Sequence, residues 1–238
     1  KYNVKEDDVV TATQPEAKDF SELSLPIIYE DENVTVINKP VGILTHAKGA
    51  LNEEFTVAEF MRPRTTFGLE GDRPGIIHRL DRDTSGVIIC ARNQETATML
   101  ARQFNQRTVK KTYAAVVDGI PKQAPISIDL PIARHPKKPS TFRVDANGKH
   151  AETYLEIEEY GNVHSLVLLR PRTGRTHQLR VHLAHLGTPI TGDRVYGKED
   201  DRLFLHAHQL EITIPGEPTN QRKTFVSEVP AVFAQKVE

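Results

Sequence analysis

A chain of 238 residues is long enough for one large domain or two small ones around a substantial core. With 38% hydrophobic and 26% charged residues it reads as globular, and its longest apolar runs, 87–91 and 166–169, are far too short for a membrane-spanning helix. The net charge of −1 speaks weakly against nucleic acid, but the charges are segregated: residues 170–182 and 102–111 each carry four basic residues and no acid, while the first 32 residues carry nine acids against three lysines, so a local basic face can bind phosphate.

Residues 1–25 are polar, acidic and weakly periodic, and read as a linker or the tail of something upstream. From Pro26 the pattern changes. Ile27 to Tyr29 and Val34 to Ile37 flank a short turn, which predicts a β-hairpin. A short helix is predicted over 57–61, stopped by Pro63, followed by a loop over 69–74. Residues 86–91 form a near-continuous apolar strand, buried on both faces, and it contains the one cysteine, Cys90. That single thiol excludes an intrachain disulfide and fits a reducing setting. Asn93 is a candidate N-cap for a helix to about Asn105, with Ala97, Leu100 and Phe104 on one face. A β-branched and aromatic strand follows over 108–118. Five prolines between 121 and 139 require irregular or edge structure. Residues 151–160 and 163–169 predict a hairpin turning at Gly161-Asn162. Leu179, Leu183 and Leu186 give a helix over 176–186 ending at Gly187, and 203–214 alternates as a strand. Hairpins with two or three helices between them predict an α+β domain on a mixed, largely antiparallel sheet.

The densest polar cluster is Gly75-Ile-Ile-His78-Arg79-Leu80-Asp81-Arg82-Asp83-Thr84-Ser85-Gly86, between a loop and the buried strand, where scaffolds present reactive groups. As bare residue types it has several readings. It fits an Asx-turn with surface ion pairs, a paired-carboxylate glycosidase, an aspartyl-phosphate phosphatase, or a single Asp nucleophile held by arginines. The phosphatase needs an apolar strand where His78 and Arg79 stand, and the glycosidase lacks a stacking platform, since the chain has no Trp. The second cluster runs from Arg170 to His182. Arg172 and Arg175 flank a predicted helix start, a place that favours anions, so a phosphate-binding corner is expected there. Arg180 lies inside the helix beside its leucine stripe, where a guanidinium needs a carboxylate, and Asp81 can supply it. The histidines at 177, 182, 185, 206 and 208 show no recognisable metal-ligand pattern, so no metal and no cofactor are expected.

Together these stretches resemble the RluA-type family of RNA pseudouridine synthases. The resemblance rests on His78-Arg-Leu-Asp81-Arg-Asp-Thr-Ser-Gly86, on Lys111-Thr-Tyr113, and on Arg172-Thr-Gly-Arg-Thr-His-Gln-Leu-Arg180-Val-His-Leu. Asn38-Lys39-Pro40 with Gly42, Gly192-Asp193-Arg-Val-Tyr196-Gly197, and Leu205-His206-Ala207 add softer support, in order over residues 26–215. It implies a pseudouridine synthase fold over 26–238 with a central RNA-binding cleft, after a remnant of a small RNA-binding module over 1–25. It carries the nucleophile onto Asp81, the base-stacking aromatic onto Tyr113, the ion-pair partner onto Arg180 and an apolar wall onto Leu179. It associates Arg79 with filling the gap left by a flipped base. His78, Arg172, Arg175 and His177 are expected to contact the substrate. The implied protein is a cytoplasmic monomer acting on ribosomal or transfer RNA. A non-catalytic RNA-binding domain and a metal-dependent phosphohydrolase are the competing readings.

Overall fold

A computed structural model describes residues 3–9, 11, 18–47, 54–216 and 218–238. In chain order the elements are β1 (Ile27–Glu30), β2 (Val34–Lys39), α1 (Val57–Met61), β3 (Ser85–Ala91), α2 (Gln94–Asn105), β4 (Lys110–Asp118), β5 (Ile126–Asp129), β6 (Ile132–Arg134), β7 (Phe142–Val144), β8 (Glu152–Tyr160), β9 (His164–Pro171), α3 (Gln178–His185), β10 (Leu205–Ile214), β11 (Gln221–Val226) and α4 (Val232–Val237). Nine strands form one sheet in the order β1-β2-β3-β10-β4-β9-β8-β5, with β11 also on β10, while β6 and β7 make a separate ribbon. Every pairing is antiparallel except β3 on β10. This is the α+β, mixed and largely antiparallel architecture that the pattern of hairpins predicts.

The apolar run of β3 is continuous because both faces of the strand are covered. Val87, Ile89 and Ala91 meet Ala97 and Leu100 of α2, while Ile88 and Cys90 meet Val57, Phe60 and Met61 of α1. Each such fully buried aliphatic side chain contributes about 1.5–3 kcal/mol. β4 is covered likewise: Ala115 and Val117 face Leu179 and Leu183 of α3, and Val116 faces Phe233 and Val237 of α4.

The parallel seam between β3 and β10 registers His206 with Ser85 and Ala207 with Gly86. Gly86 is required there. Its φ is +109°, and a Cβ would stand 2.2 Å from the Ala207 carbonyl oxygen. The loop carrying Asp81 therefore ends on a strand that cannot shift away from β10.

Asn93 caps α2, its side chain accepting from the Thr96 N–H at 2.9 Å, as its type predicts. α1 ends at Met61, before Pro63, as predicted, and a 3₁₀ turn, Arg62–Arg64, carries the chain through the proline. The proline-rich stretch holds β5 at the sheet edge and β6 in the ribbon, the edge structure its prolines require. Other expectations change. α3 begins two residues later than its leucine spacing suggests, because His177 takes a left-handed conformation, φ 57°. The expected linker over 1–25 lies partly outside the described residues. Its last part is not free of the domain: Leu25 is buried against the α1 cluster, and the Phe20 ring lies 5.9 Å from that of Phe55. No helix among the described residues is long and apolar enough to cross a membrane.

Candidate active site

The segment Leu80 to Thr84 is pinned from below by the stretch after β2. Thr45 Oγ1 donates to the Leu80 carbonyl at 2.8 Å and accepts from the Leu80 N–H at 3.2 Å. The Arg82 carbonyl accepts from the Gly42 N–H at 2.9 Å and from Lys39 Nζ at 3.0 Å. Lys39 is fully buried, and its ammonium donates also to the carbonyls of Pro40 and Ile43, both at 2.8 Å. Burial pushes its pKa down to about 7, against the pull of the Asp83 and Asp81 carboxylates. Thr84 N–H closes the turn onto the Asp81 carbonyl at 3.1 Å. Asp81 is thus presented on a rigid loop with its side chain a quarter exposed.

The facing wall comes from the residues before and within α3. Gln178 organises that loop. Its Oε1 accepts from Thr173 Oγ1 at 2.7 Å and the Arg175 N–H at 3.0 Å, and its Nε2 donates to the Glu152 carbonyl at 3.0 Å and Thr153 Oγ1 at 2.9 Å. This turns α3 so that Leu179, Arg180 and His177 look toward Asp81. With Tyr113 and Arg79 these residues line a cavity of about 150 Å³. A cavity of that size takes a single six-membered ring. Burial and the Asp81 carboxylate push the Tyr113 hydroxyl pKa up, so the ring stays neutral. The placement of Asp81, Tyr113, Arg180, Leu179, Arg79 and His177 around one cavity is what the motifs imply.

The pairing of Arg180 needs a correction. Its hydrogen-bonded, bidentate partner is Asp193, and Asp81 is a second, longer ion-pair partner. Nε and Nη2 donate to the two Asp193 oxygens, each at 2.7 Å. Asp193 is 1% exposed, and its Oδ1 also accepts from the N–H groups of Val195 and Tyr196. Burial raises the Asp193 pKa, but these donors and the Arg180 charge outweigh it and hold the group below the usual carboxylate value. Arg180 Nη1 stands 3.6 Å from Asp81 Oδ2, an ion-pair distance but beyond a normal hydrogen bond. The guanidinium has one face of donors for each role, and the buried carboxylate takes the bidentate one.

His177 Nε2 stands 3.7 Å from Asp81 Oδ2, and its Nδ1 is 2.8 Å from the Tyr196 hydroxyl. Burial lowers the His177 pKa, with Asp81 pulling the other way. His78 has a structural role beside its expected substrate contact. It borders the second cavity described next, but its ring stacks on Phe104 at 4.6 Å and its Nε2 accepts from the Ile89 N–H at 3.1 Å. Burial and the nearby Lys111 charge push its pKa down to about 3, so it ties the loop to β3 as a neutral ring and offers no cation to a phosphate.

A second cavity, about 400 Å³, adjoins the first and shares Arg79, Lys111, Tyr113 and Arg175 with it. Arg107 and Arg172 also line it, and none of its lining residues is acidic. Arg172 reaches it from an exposed position, with Nη1 3.2 Å from Glu152, while Arg175 Nε donates to the His150 carbonyl at 2.9 Å. The remaining histidines do not gather: His182 is held by Thr153 and the Leu130 carbonyl, His206 by Ser85 and the Ser227 carbonyl. Among the described residues no group of three His, Cys, Asp or Glu is placed to hold a metal ion.

Asp193, Tyr196, Gln178 and Thr45 are site residues that residue types alone do not assign. Asp193 and Tyr196 stand in a quoted motif, Gly192 to Gly197, but nothing local says which cation the aspartate meets.

A family profile described as RNA pseudouridylate synthase matches residues 33–185. The chain is 42% identical over 225 residues to the ribosomal large subunit pseudouridine synthase D of Borreliella burgdorferi, covering 90% of this chain and 68% of that protein. It is 35% identical over 247 residues to an uncharacterized RNA pseudouridine synthase of Bacillus subtilis, covering 100% and 81%. Among solved structures it resembles human RNA pseudouridylate synthase domain containing 1, with a TM-score of 0.72, 30% identity, and 93% and 89% of the two chains covered.

Proposed function

The chain belongs to the RNA pseudouridylate synthase family, and within that activity we propose that Asp81 is the nucleophile and the RNA of the large ribosomal subunit the substrate. The protein is an isomerase acting on uridine in RNA. The N1–C1′ bond breaks, the base turns, and C5 bonds to C1′. The proton leaves C5, and N1 regains one, so nothing is added overall and no cofactor is called for.

A stacked base exposes neither atom, so the target nucleotide must leave the helix, at a cost of a few kcal/mol. Stacking on Tyr113 offsets this, at roughly 1–3 kcal/mol per base. Arg79, exposed at the rim of both cavities, is placed to enter the gap the base leaves. Asp81 attacks as the anion, with Arg180 at an ion-pair distance of 3.6 Å. The observation that carries the assignment is the position of Asp81: a partly exposed carboxylate on a rigid loop, opposite a buried guanidinium, in a ring-sized cavity with Tyr113. Nucleotide-resolution mapping of pseudouridine in ribosomal and transfer RNA, with and without the gene, tests the substrate. New sites confined to transfer RNA would overturn the ribosomal assignment.

In this reading the catalytic domain is residues 26–238, with 1–25 leading from an RNA-binding module, and the protein acts in the cytoplasm as a monomer. Two expected outcomes follow from the site. Arg172→Ala and Arg175→Ala should weaken binding of all RNAs alike, because phosphate contacts carry no sequence information. Filter binding with target and scrambled RNAs checks this; a change in which uridine is modified, at unchanged affinity, would contradict it. Activity should also survive exhaustive EDTA treatment, since no ligand set gathers among the described residues. Loss restored by zinc or magnesium, with RNA folding controlled, would count against this mechanism.

A further inference from the structure

Lys111 is a half-buried cation with no carboxylate in ion-pair reach among the described residues. It lies two residues before Tyr113 on β4, so both side chains leave the same face of the strand, about 7 Å apart along it. It lines both cavities. Among the described residues its ammonium has one hydrogen-bond partner, the Thr173 carbonyl at 3.3 Å. An ammonium has three protons to place, and leaving two of them without a protein partner is costly where water is partly excluded.

Lys39 shows how this molecule builds a structural lysine: three carbonyls at 2.8 to 3.0 Å and two aspartates nearby. Arg202, another half-buried cation with no acid beside it, rests on Ser85 Oγ at 2.9 Å and on the rings of Phe204 and Phe233, and it lines neither cavity of the site. Lys111 has neither kind of support and faces an opening. Burial pushes its pKa down to about 8, as expected of a charge whose counter-ion is missing. Arg107, one of two non-glycine residues with positive φ in the described chain, at 58°, lines the same second cavity.

We propose that Lys111 is an anion seat at the junction of the two cavities, and that its ligand is one backbone phosphate of the RNA strand beside the flipped nucleotide. The proposal rests on the synthase reading and deepens it. Asp81 and Tyr113 hold the base, and Lys111, two residues before Tyr113 on the same strand, holds the RNA as it turns out of the first cavity toward Arg107 and Arg172. An isolated cation suits that position, since a carboxylate partner would compete with the phosphate.

The test separates this role from a structural one. Removing a structural cation destabilises the free protein, whereas removing an uncompensated one relieves it. Lys111→Met should therefore melt no lower than wild type in phosphate-free buffer. Inorganic phosphate at matched ionic strength should raise the melting temperature of wild type and of Lys111→Arg, but not of Lys111→Met. The RNA arm uses an oligonucleotide spanning a uridine that the wild-type protein modifies, with one phosphate at a time replaced by a neutral methylphosphonate. Lys111→Met should weaken binding by about tenfold and shallow the salt dependence by about 0.7 to 0.9 in log–log slope. It should have no further effect when one particular phosphate next to the target is neutral. A lower melting temperature for Lys111→Met, or losses that add at every phosphate, would overturn the proposal. A phosphate effect on melting without an RNA effect would reduce it to an adventitious anion and overturn the RNA assignment. Wild-type protein that modifies no uridine would instead sink the synthase reading, while the melting arm still decides whether Lys111 seats an anion.

Discussion

Asp81→Asn should lose isomerisation by about 10⁴-fold or more while keeping the fold and the RNA affinity. The amide has the size and shape of the carboxylate but carries no charge and cannot act as the anionic nucleophile. The structure adds that the protein should hardly be destabilised. Arg180 keeps both 2.7 Å bonds to Asp193 whatever stands at residue 81, so no buried charge is stranded. Affinity should hold or improve, because an anion leaves a cavity that adjoins a basic groove lined by no acid. Single-turnover isomerisation, filter binding and thermal melting on one preparation check the three parts. Activity within tenfold of wild type would remove Asp81 from the mechanism, and a large fall in melting temperature would show that its carboxylate holds the fold together.

The second large effect belongs to Arg180 and falls on stability as well as rate. Arg180→Ala leaves Asp193 buried, 1% exposed, with two backbone donors and no cation. Breaking a buried pair in this way costs about 3–5 kcal/mol. Arg180→Lys should rescue only in part, since an ammonium cannot bridge both Asp193 oxygens. Two double-mutant cycles on folding stability separate the partners. Arg180 with Asp193 should couple by several times the roughly 0.5 kcal/mol limit of additivity, and Arg180 with Asp81 should stay near that limit. The reverse order would return Arg180 to Asp81. The pH dependence follows from the depressed Asp193 value. The stability it contributes is fully present above the ordinary carboxyl value of 3.8 and is lost as pH falls through the lower folded value. An Asp193→Asn variant should show a flatter acid limb.

What was legible in advance follows from where each cause lies. α2 and β3 were readable because their causes are local: Asn93 caps its own helix, and a strand covered on both faces carries one unbroken apolar run. β11 was invisible because it buries little more than Phe225 and exists by pairing with β10. α4 is six residues long, too short to show a period. In the site, Asp81 and Tyr113 came with their motifs. Asp193 did not come as the partner of Arg180, since an aspartate after glycine looks like a turn residue until α3 is packed. Lys39 came only as part of a motif, without a role, because its carbonyl cage includes Arg82, 43 residues away.

The contact between Tyr196 and His177 favours one tautomer of the histidine. The Phe142 N–H can only donate, and it donates to the Tyr196 hydroxyl oxygen at 2.9 Å. That hydroxyl still has its own hydrogen to give, and the acceptor 2.8 Å away is His177 Nδ1. The neutral imidazole then carries its hydrogen on Nε2, the nitrogen that faces Asp81 Oδ2 at 3.7 Å. The ring is held as the tautomer that offers an N–H, not a lone pair, to the carboxylate, and it does so without becoming charged. A tyrosine that lines neither cavity thereby favours the hydrogen-bonding edge that the site turns toward its nucleophile.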